Sequence, residues 1–128
     1  MDRVFLDANV LFSAAYRPAA GIARLWKLKN VELLTSDYAI EEARANLPDS
    51  EQQRRLQELL ERVRVVTGQA PLPTHVSLPD KDRPILQAAL YARATHLLTG
   101  DRRHFGRYFG RRIGSVLILP PAEYLLGQ

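Results

Sequence analysis

Short apolar runs of strand type alternate with segments of helical periodicity along the whole chain, and this alternation constrains the fold more than any other feature. The runs contain Val4–Leu6, Val31–Leu34, Val63 with Val65 and Val66, His96–Leu98, and Val116–Leu119. Most of the segments between them are long enough for the helical crossovers that join parallel strands. The sequence therefore predicts an α/β fold, with a mostly parallel sheet of about five short strands and helices on both faces.

The stretches between these runs predict the helices. They are Val10–Trp26, broken near Pro18; a helix that follows Thr35 or Ser36 as N-cap and reaches Leu47; Glu51–Glu61; and Asp82–Ala94, with Pro84 in its first turn. Gly68, Pro71, Pro73 and Pro79 mark a connection of roughly fifteen residues between Val66 and Asp82, a length that is uncommon without a functional reason. We interpret it as a loop within a single domain spanning residues 1–128, because a chain of this length supports one hydrophobic core.

Composition excludes several classes of chemistry. The chain has no cysteine, so disulfides, thiolate zinc sites and cysteine nucleophiles are excluded. No apolar run approaches the roughly 20 residues of a membrane helix, and Asp2 and Asp7 stand where a signal peptide would be basic and then apolar. We therefore expect a cytoplasmic protein without a membrane partner.

The chain carries a net positive charge. Its 18 Lys and Arg residues exceed its 14 Asp and Glu residues, which favours a polyanionic partner.

Two of the apolar runs end at an aspartate. Asp7 directly follows Val4–Leu6, and Asp101 follows the run at residues 96–98 after Thr99 and Gly100. In parallel α/β sheets, functional groups gather outside the carboxyl ends of the strands. A turn or helix-cap role explains either aspartate taken alone, so their shared position is the informative feature.

Further carboxylates lie on two of the predicted helices. Asp82 opens its helix and Asp80 stands two residues earlier, while Glu42 falls beside the buried face of the helix after Ser36 and Glu41 points nearly opposite. Asp82 and Glu42 are the better candidates for a shared pocket. Whether Asp80 or Glu41 joins them is left open by the sequence.

Four carboxylates that converge on one pocket repel one another, so they bind protons or require a cation. Oxygen ligands without cysteine or paired histidines suit Mg²⁺ or Mn²⁺ rather than zinc. Because Mg²⁺ commonly binds a few carboxylates together with phosphate oxygens, this arrangement indicates phosphoryl chemistry.

Several short segments, in this order and spacing, resemble the PIN-domain family of nucleases, in particular its toxin-type (VapC-like) members from type II toxin–antitoxin systems. The segments are Leu6-Asp7-Ala8-Asn9-Val10 with Ser13, Ser36 to Glu42 leading into Ala43-Arg44, Asp82-Arg83-Pro84-Ile85-Leu86, Leu98-Thr99-Gly100-Asp101, and Leu119-Pro120 with Glu123-Tyr124-Leu125. The departures are modest, since Ala8 stands where the family often has Thr or Ser.

The resemblance implies a three-layer α/β/α sandwich and a metal-dependent ribonuclease whose acidic quartet holds Mg²⁺ or Mn²⁺. The quartet falls on Asp7, Glu42, Asp82 and Asp101. Three polar residues match positions that support such acids, namely Asn9, Ser13 and Thr99. The resemblance also implies an RNA substrate, a small antitoxin protein as partner, and a homodimer.

A basic run follows the last of these acids. It contains Arg102, Arg103, His104, Arg107, Arg111 and Arg112, within what we expect to be about three helical turns. We interpret Arg102, Arg103, His104 and Arg107 as the nucleic-acid-binding residues, although a solvated charged face explains them equally well. We expect Phe105, Tyr108 and Phe109 to pack on the sheet rather than to stack on bases.

Two other functions fit parts of the sequence. A catalytically weak PIN-like module would keep the scaffold and bind RNA or protein without cleaving it. A haloacid-dehalogenase-like phosphatase would share the strand ending in Asp-x-Asn. That second alternative is disfavoured, because the chain is short and has no second aspartate four residues beyond Asp101.

Overall fold

The computed structural model describes residues 1–128 and contains six strands and six α-helices. The strands are β1 (Asp2–Leu6), β2 (Val31–Ser36), β3 (Arg64–Val66), β4 (His96–Leu98), β5 (Arg112–Ile113) and β6 (Val116–Leu119). The helices are α1 (Ala8–Tyr16), α2 (Asp37–Asn46), α3 (Ser50–Leu60), α4 (Arg83–Tyr91), α5 (Arg102–Phe105) and α6 (Pro121–Leu126), with 3₁₀ helices at Gly21–Lys27 and Gly106–Tyr108.

The strands form one sheet in the order β3-β2-β1-β4-β6-β5, which is parallel except for the β5–β6 pair. The chain runs outward from β1 through β2 to β3, and then returns to place β4 on the other side of β1. The strand order therefore reverses between β1 and β4, which is where open α/β sheets bind their ligands. Leu6 and Leu98 are register partners across this pair, so both strands end at the same level. The predicted α/β class and mostly parallel sheet are confirmed.

The sheet has six strands, where about five were predicted. The additional strand, β5, has only two residues and pairs antiparallel with β6 through a tight turn at Gly114 and Ser115. Gly114 has φ +57°, a left-handed conformation that favours glycine at such turns. A two-residue strand has no alternation of apolar and polar residues, so periodicity could not reveal it.

Two predicted helices end earlier than expected. Helix α4 ends at Tyr91 instead of Ala94, because Arg93 adopts φ +53° and turns the chain toward β4. The helix after Asp101 was expected to last about three turns, but α5 is a single turn followed by the 3₁₀ helix Gly106–Tyr108. Consequently Arg111 precedes β5 and Arg112 opens it, and neither lies on a helix.

The core forms around the central strands. Phe5, Leu97 and Ile118 are each fully buried. Phe105 and Tyr108 are also buried, which agrees with their predicted packing on the sheet. The Tyr108 hydroxyl accepts a 2.8 Å hydrogen bond from the backbone nitrogen of Ser77, which fixes the long connection at residues 67–82 against the core. None of the helices has the length and apolarity needed to cross a bilayer.

Candidate active site

Asp7 and Asp101 lie at the carboxyl ends of β1 and β4, and each is the N-cap of the helix that follows. The Ala8 backbone nitrogen donates to Asp7 Oδ1 at 2.6 Å, and the His104 backbone nitrogen donates to Asp101 Oδ1 at 3.1 Å. Each cap uses one carboxylate oxygen. Because β1 and β4 end at the same level, the second oxygens of both aspartates lie at one edge of the sheet. There Asp7 Oδ2 accepts hydrogen bonds from Thr99 and Asn9, and Asp101 Oδ2 is hydrogen bonded to His104.

Thr99 and Asn9 connect these two aspartates. The Thr99 hydroxyl, fully buried, donates to Asp7 Oδ2 at 2.8 Å and accepts from the backbone nitrogen of Asp101 at 3.1 Å. Asn9 donates to Asp7 Oδ2 at 3.2 Å and accepts from the Gly100 nitrogen at 2.8 Å. Ser13, predicted to support the same acids, lies one helical turn beyond Asn9, is exposed and makes no hydrogen bond to them.

We expect Thr99→Val to destabilise the protein by about 1–3 kcal/mol, because valine leaves the partly buried Asp101 N–H without an acceptor. Loss of the hydroxyl also removes a hydrogen bond that lowers the pKa of Asp7, so that pKa rises further. Urea unfolding and a carboxyl-carbon NMR titration would measure the two effects. Thr99→Ser keeps the hydroxyl and is the control; a valine variant that matches it in both measurements would contradict this role.

Asp82 precedes α4 but does not cap it with its side chain. An N-cap side chain usually accepts from the second or third helical residue. Here the second residue is Pro84, which has no N–H, and the N–H of the third, Ile85, donates to the backbone carbonyl of Asp82 at 3.2 Å. The Asp82 carboxylate is therefore free for another role. It is 8% exposed, and its Oδ2 has no hydrogen-bond partner.

His104 lies between Asp82 and Asp101. Its Nδ1 is hydrogen bonded to Asp101 Oδ2 at 2.8 Å and lies 3.1 Å from Asp82 Oδ2, a contact with the distance of an ion pair but without hydrogen-bond geometry. The sequence led us to interpret His104 as a nucleic-acid-binding residue, whose ring would contact a phosphate. The structure turns Nδ1 toward the two carboxylates, which leaves only Nε2 for such a contact.

The structure distinguishes the two neighbouring glutamates on α2. Glu41 pairs with Arg44 on the outside of the helix, and its side chain is 70% exposed. Glu42 is also exposed, but its charge raises the pKa of Asp7, so it lies within electrostatic range of the site. Asp80 is exposed on the loop before α4. Of the two glutamates, Glu42 is the one whose charge acts on Asp7.

Burial and mutual repulsion shape the ionisation of these acids. Burial raises the pKa of Asp7 to about 6, with further increases from the charges of Glu42 and Asp82 and opposition from the hydrogen bonds of Thr99 and Ala8. Burial also raises the pKa of Asp82. Burial opposes ionisation of Asp101 as well, but the hydrogen bonds from His104 outweigh it and lower the Asp101 pKa. Repulsion of this kind favours binding of a cation.

Two further residues at this site were missed by the sequence analysis. The Tyr38 hydroxyl donates to the Lys81 carbonyl at 2.7 Å and so joins α2 to the loop before α4. Burial raises the pKa of Tyr38, and the charges of Glu42, Asp82 and Asp7 raise it further. The Lys81 charge lowers the pKa of both Asp82 and Asp101. Their positions in the sequence could have identified both residues, since Tyr38 lies one turn before Glu42 and Lys81 adjoins Asp82.

The family model of the PIN domain matches residues 3–103, a range that contains Asp7, Glu42, Asp82 and Asp101. The chain belongs to the PIN-domain family. This membership overturns the alternative of a haloacid-dehalogenase-like phosphatase. No curated protein sequence matches the chain closely enough to count as a relative.

Solved structures share the fold of this PIN domain at low sequence identity. VapBC2 from Rickettsia felis, bound to a DNA fragment from their promoter, is 18% identical with a TM-score of 0.70, over 92% of this chain and 98% of that chain. FitAcB from Neisseria gonorrhoeae is 20% identical with a TM-score of 0.53, over 93% and 98%. FitAB bound to the IR36 DNA fragment is 18% identical with a TM-score of 0.52, over 92% and 94%.

The basic run of this PIN domain divides between two ends of the sheet. Arg102 and Arg103 immediately follow Asp101 and are exposed, as is Arg107. Arg112 instead pairs with Leu117, which is the register partner of His96 at the start of β4. Arg112 therefore lies toward the amino end of β4, whereas the acids lie beyond its carboxyl end.

Proposed function

We propose that this PIN domain is a metal-dependent endoribonuclease, with Asp7, Glu42, Asp82 and Asp101 as the residues that hold Mg²⁺ or Mn²⁺. The observation that carries the proposal is Asp82 Oδ2, a buried carboxylate oxygen without a hydrogen-bond partner. One carboxylate oxygen of Asp82 lies within 4.8 Å of a carboxylate oxygen of Asp101. A buried anionic oxygen without a donor is costly, and a cation between the two aspartates would compensate both.

The residues of this site fit a hard divalent ion. Asp7 and Asp101 each commit one oxygen to a helix cap, and Thr99 and Asn9 fix the orientation of Asp7. Such supporting contacts hold ligands in place at metal sites. A divalent ion bound there would lower the pKa of a water molecule and stabilise charge on the leaving oxygen of a phosphodiester.

RNA as the substrate is supported by the motifs that resemble toxin-type PIN domains and by the charge of the surface. Arg102 and Arg103 are exposed directly after Asp101, and Arg107 is exposed one turn later. The guanidinium groups of these arginines would neutralise the phosphates on either side of the cleaved bond. Ser13 belongs to the groove beside Asp101, together with Asn9, Ile22 and Pro121, and we propose it as a polar contact there.

We expect the double variant Arg102→Ala, Arg103→Ala to bind single-stranded RNA with a smaller dependence on salt. Each lost phosphate contact should reduce the slope of log affinity against log salt by about 0.7. Fluorescence anisotropy in EDTA, where RNA stays intact, measures the slope. Arg112→Ala is the matched control, since that arginine lies away from the acids. Equal slopes in the double variant and wild type would contradict the assignment.

We also propose that the chain is a single domain over residues 1–128 that acts in the cytoplasm as the toxin of a toxin–antitoxin pair. Two of the structures that share its fold, VapBC2 and FitAB, were solved on DNA fragments. By analogy, we expect this chain to form a homodimer and to be blocked by a small antitoxin protein. Growth arrest on expression, relieved by the protein encoded beside it, would support this assignment.

The test of the catalytic proposal is cleavage of an RNA pool by purified protein with Mg²⁺, Mn²⁺ or EDTA. We expect cleavage with either ion, none with EDTA, and fragments with 5′-phosphate ends. Binding of RNA without cleavage under all conditions would support the catalytically weak module instead. Cleavage that persists in EDTA would exclude a metal mechanism.

A further inference from the structure

A nitrogen atom lies among the carboxylates of this site. The potential ligand atoms of Asp82, Asp101 and His104 all lie within 4.8 Å of one another. His104 Nδ1 is 2.8 Å from Asp101 Oδ2 and 3.1 Å from Asp82 Oδ2. The imidazole nitrogen therefore lies beside the two aspartates that we propose as ligands of the cation.

These spacings match neighbouring ligand atoms around one ion. In an octahedral site with bonds of about 2.1 Å, adjacent ligand atoms are separated by about 3 Å. The two distances from Nδ1 fit that separation. Asp82 Oδ2, with its residue 8% exposed, has no hydrogen-bond partner and lies 3.1 Å from the same nitrogen. A bound ion would give this buried oxygen the partner that it lacks and would use the neighbouring imidazole nitrogen as a ligand.

We infer that His104 is itself a metal ligand, with Nδ1 joining Asp82 and Asp101 on one ion, and that it favours Mn²⁺ over Mg²⁺. This inference rests on the proposed function of the same site. Imidazole nitrogen suits transition metals, whereas Mg²⁺ prefers oxygen alone. The acidic quartet by itself supplies only oxygen, so His104 determines the preference between the two ions.

Coordination through Nδ1 requires the neutral ring with its proton on Nε2. The ring makes one hydrogen bond within the protein, through Nδ1, and the side chain is 22% exposed, so Nε2–H can face solvent. The competing role is that of a positioning residue, in which Nδ1–H donates to Asp101 and orients it without contacting the ion. Both roles predict weaker metal binding on substitution, so affinity alone does not separate them.

The deciding experiment is electron spin-echo envelope modulation on Mn²⁺ bound to the untagged protein. A directly coordinated imidazole gives a ¹⁴N coupling, which should change to the ¹⁵N pattern when the histidines are labelled. We expect the coupling in wild type and its loss in His104→Gln. His75→Gln, at an exposed histidine of the 67–82 loop, is the matched control and should retain it.

Titration calorimetry adds the metal preference. We expect His104→Gln to weaken Mn²⁺ binding by roughly tenfold or more and to change Mg²⁺ binding far less. Mn²⁺ that binds wild type without a ¹⁴N coupling would overturn the histidine ligand and leave the proposed nuclease intact. A wild-type protein that binds neither ion would overturn the proposed function itself. The labelling comparison needs no variant, so it decides the question even if His104→Gln fails to fold.

Discussion

Replacing Asp7 with asparagine is expected to abolish RNA cleavage and, at the same time, to stabilise the metal-free protein at neutral pH. The variant removes one charge from the proposed ligand set. If the metal stabilises the transition state by about 4 kcal/mol, its loss lowers the cleavage rate by roughly 10³-fold. It also removes a buried charge whose pKa is raised to about 6. The Asp7 pKa of about 6 is roughly two above the ordinary aspartate value. Asp7→Asn should therefore regain up to about 3 kcal/mol of folding stability.

The stability difference between Asp7→Asn and wild type should depend on pH, because the Asp7 pKa is raised in the folded state. The folded pKa of Asp7, about 6, lies above that of the unfolded chain, so the folded state binds the proton more tightly. The stabilising contribution is present below about pH 4 and is lost as the pH rises toward 6. In EDTA, wild type should therefore lose stability relative to Asp7→Asn between these values, as measured by urea unfolding from pH 4.5 to pH 8.

Asp80→Asn is the control for Asp7→Asn, because Asp80 is an exposed aspartate beside the site and should leave both cleavage and stability unchanged. Retained cleavage by purified Asp7→Asn protein would remove Asp7 from the mechanism. Equal stability of Asp7→Asn and wild type at pH 8 in EDTA would show that this carboxylate is not destabilised by burial.

The sheet could be predicted because its strands are nearly continuous apolar runs. Phe5 and Leu97 lie in such runs and are fully buried, and this burial on both faces produces the pattern. The remaining features depend on single backbone conformations. Nothing in the sequence marks Arg93, whose left-handed conformation ends α4. The aromatic spacing from Phe105 to Tyr108 fits a long helix as well as one turn followed by a 3₁₀ helix.

The site could be predicted only in part, for a related reason. Asp7 and Asp101 could be predicted to lie close together because parallel strands end at one edge of the sheet. The free carboxylate of Asp82 also has a local cause, the missing N–H of Pro84. The position of His104 between two aspartates depends on how α4 and α5 approach each other. That approach is set by tertiary packing, so it is visible only in the structure.

Replacing Asp101 with asparagine is also expected to abolish cleavage, but it should destabilise the metal-free protein, whereas Asp7→Asn stabilises it. Asp101→Asn should lose cleavage by roughly 10³-fold, as Asp7→Asn does, because it also removes a ligand charge. It should destabilise the metal-free protein, since the hydrogen bonds from His104 lower the Asp101 pKa and so favour its charged form in the folded state. That stabilising contribution is present above the ordinary pKa and is lost as the pH falls through the lowered one.

Asp101→Ala separates the charge from the helix cap. Asparagine can still accept the hydrogen bond from the His104 backbone nitrogen, whereas alanine cannot, so the alanine variant should lose about a further 1 kcal/mol. Urea unfolding in EDTA at pH 7 should then rank Asp7→Asn above wild type, followed by Asp101→Asn and Asp101→Ala, with all three variants inactive. Two asparagine variants that shifted stability in the same direction would contradict this account, because it requires opposite pKa shifts for two acids joined by Thr99.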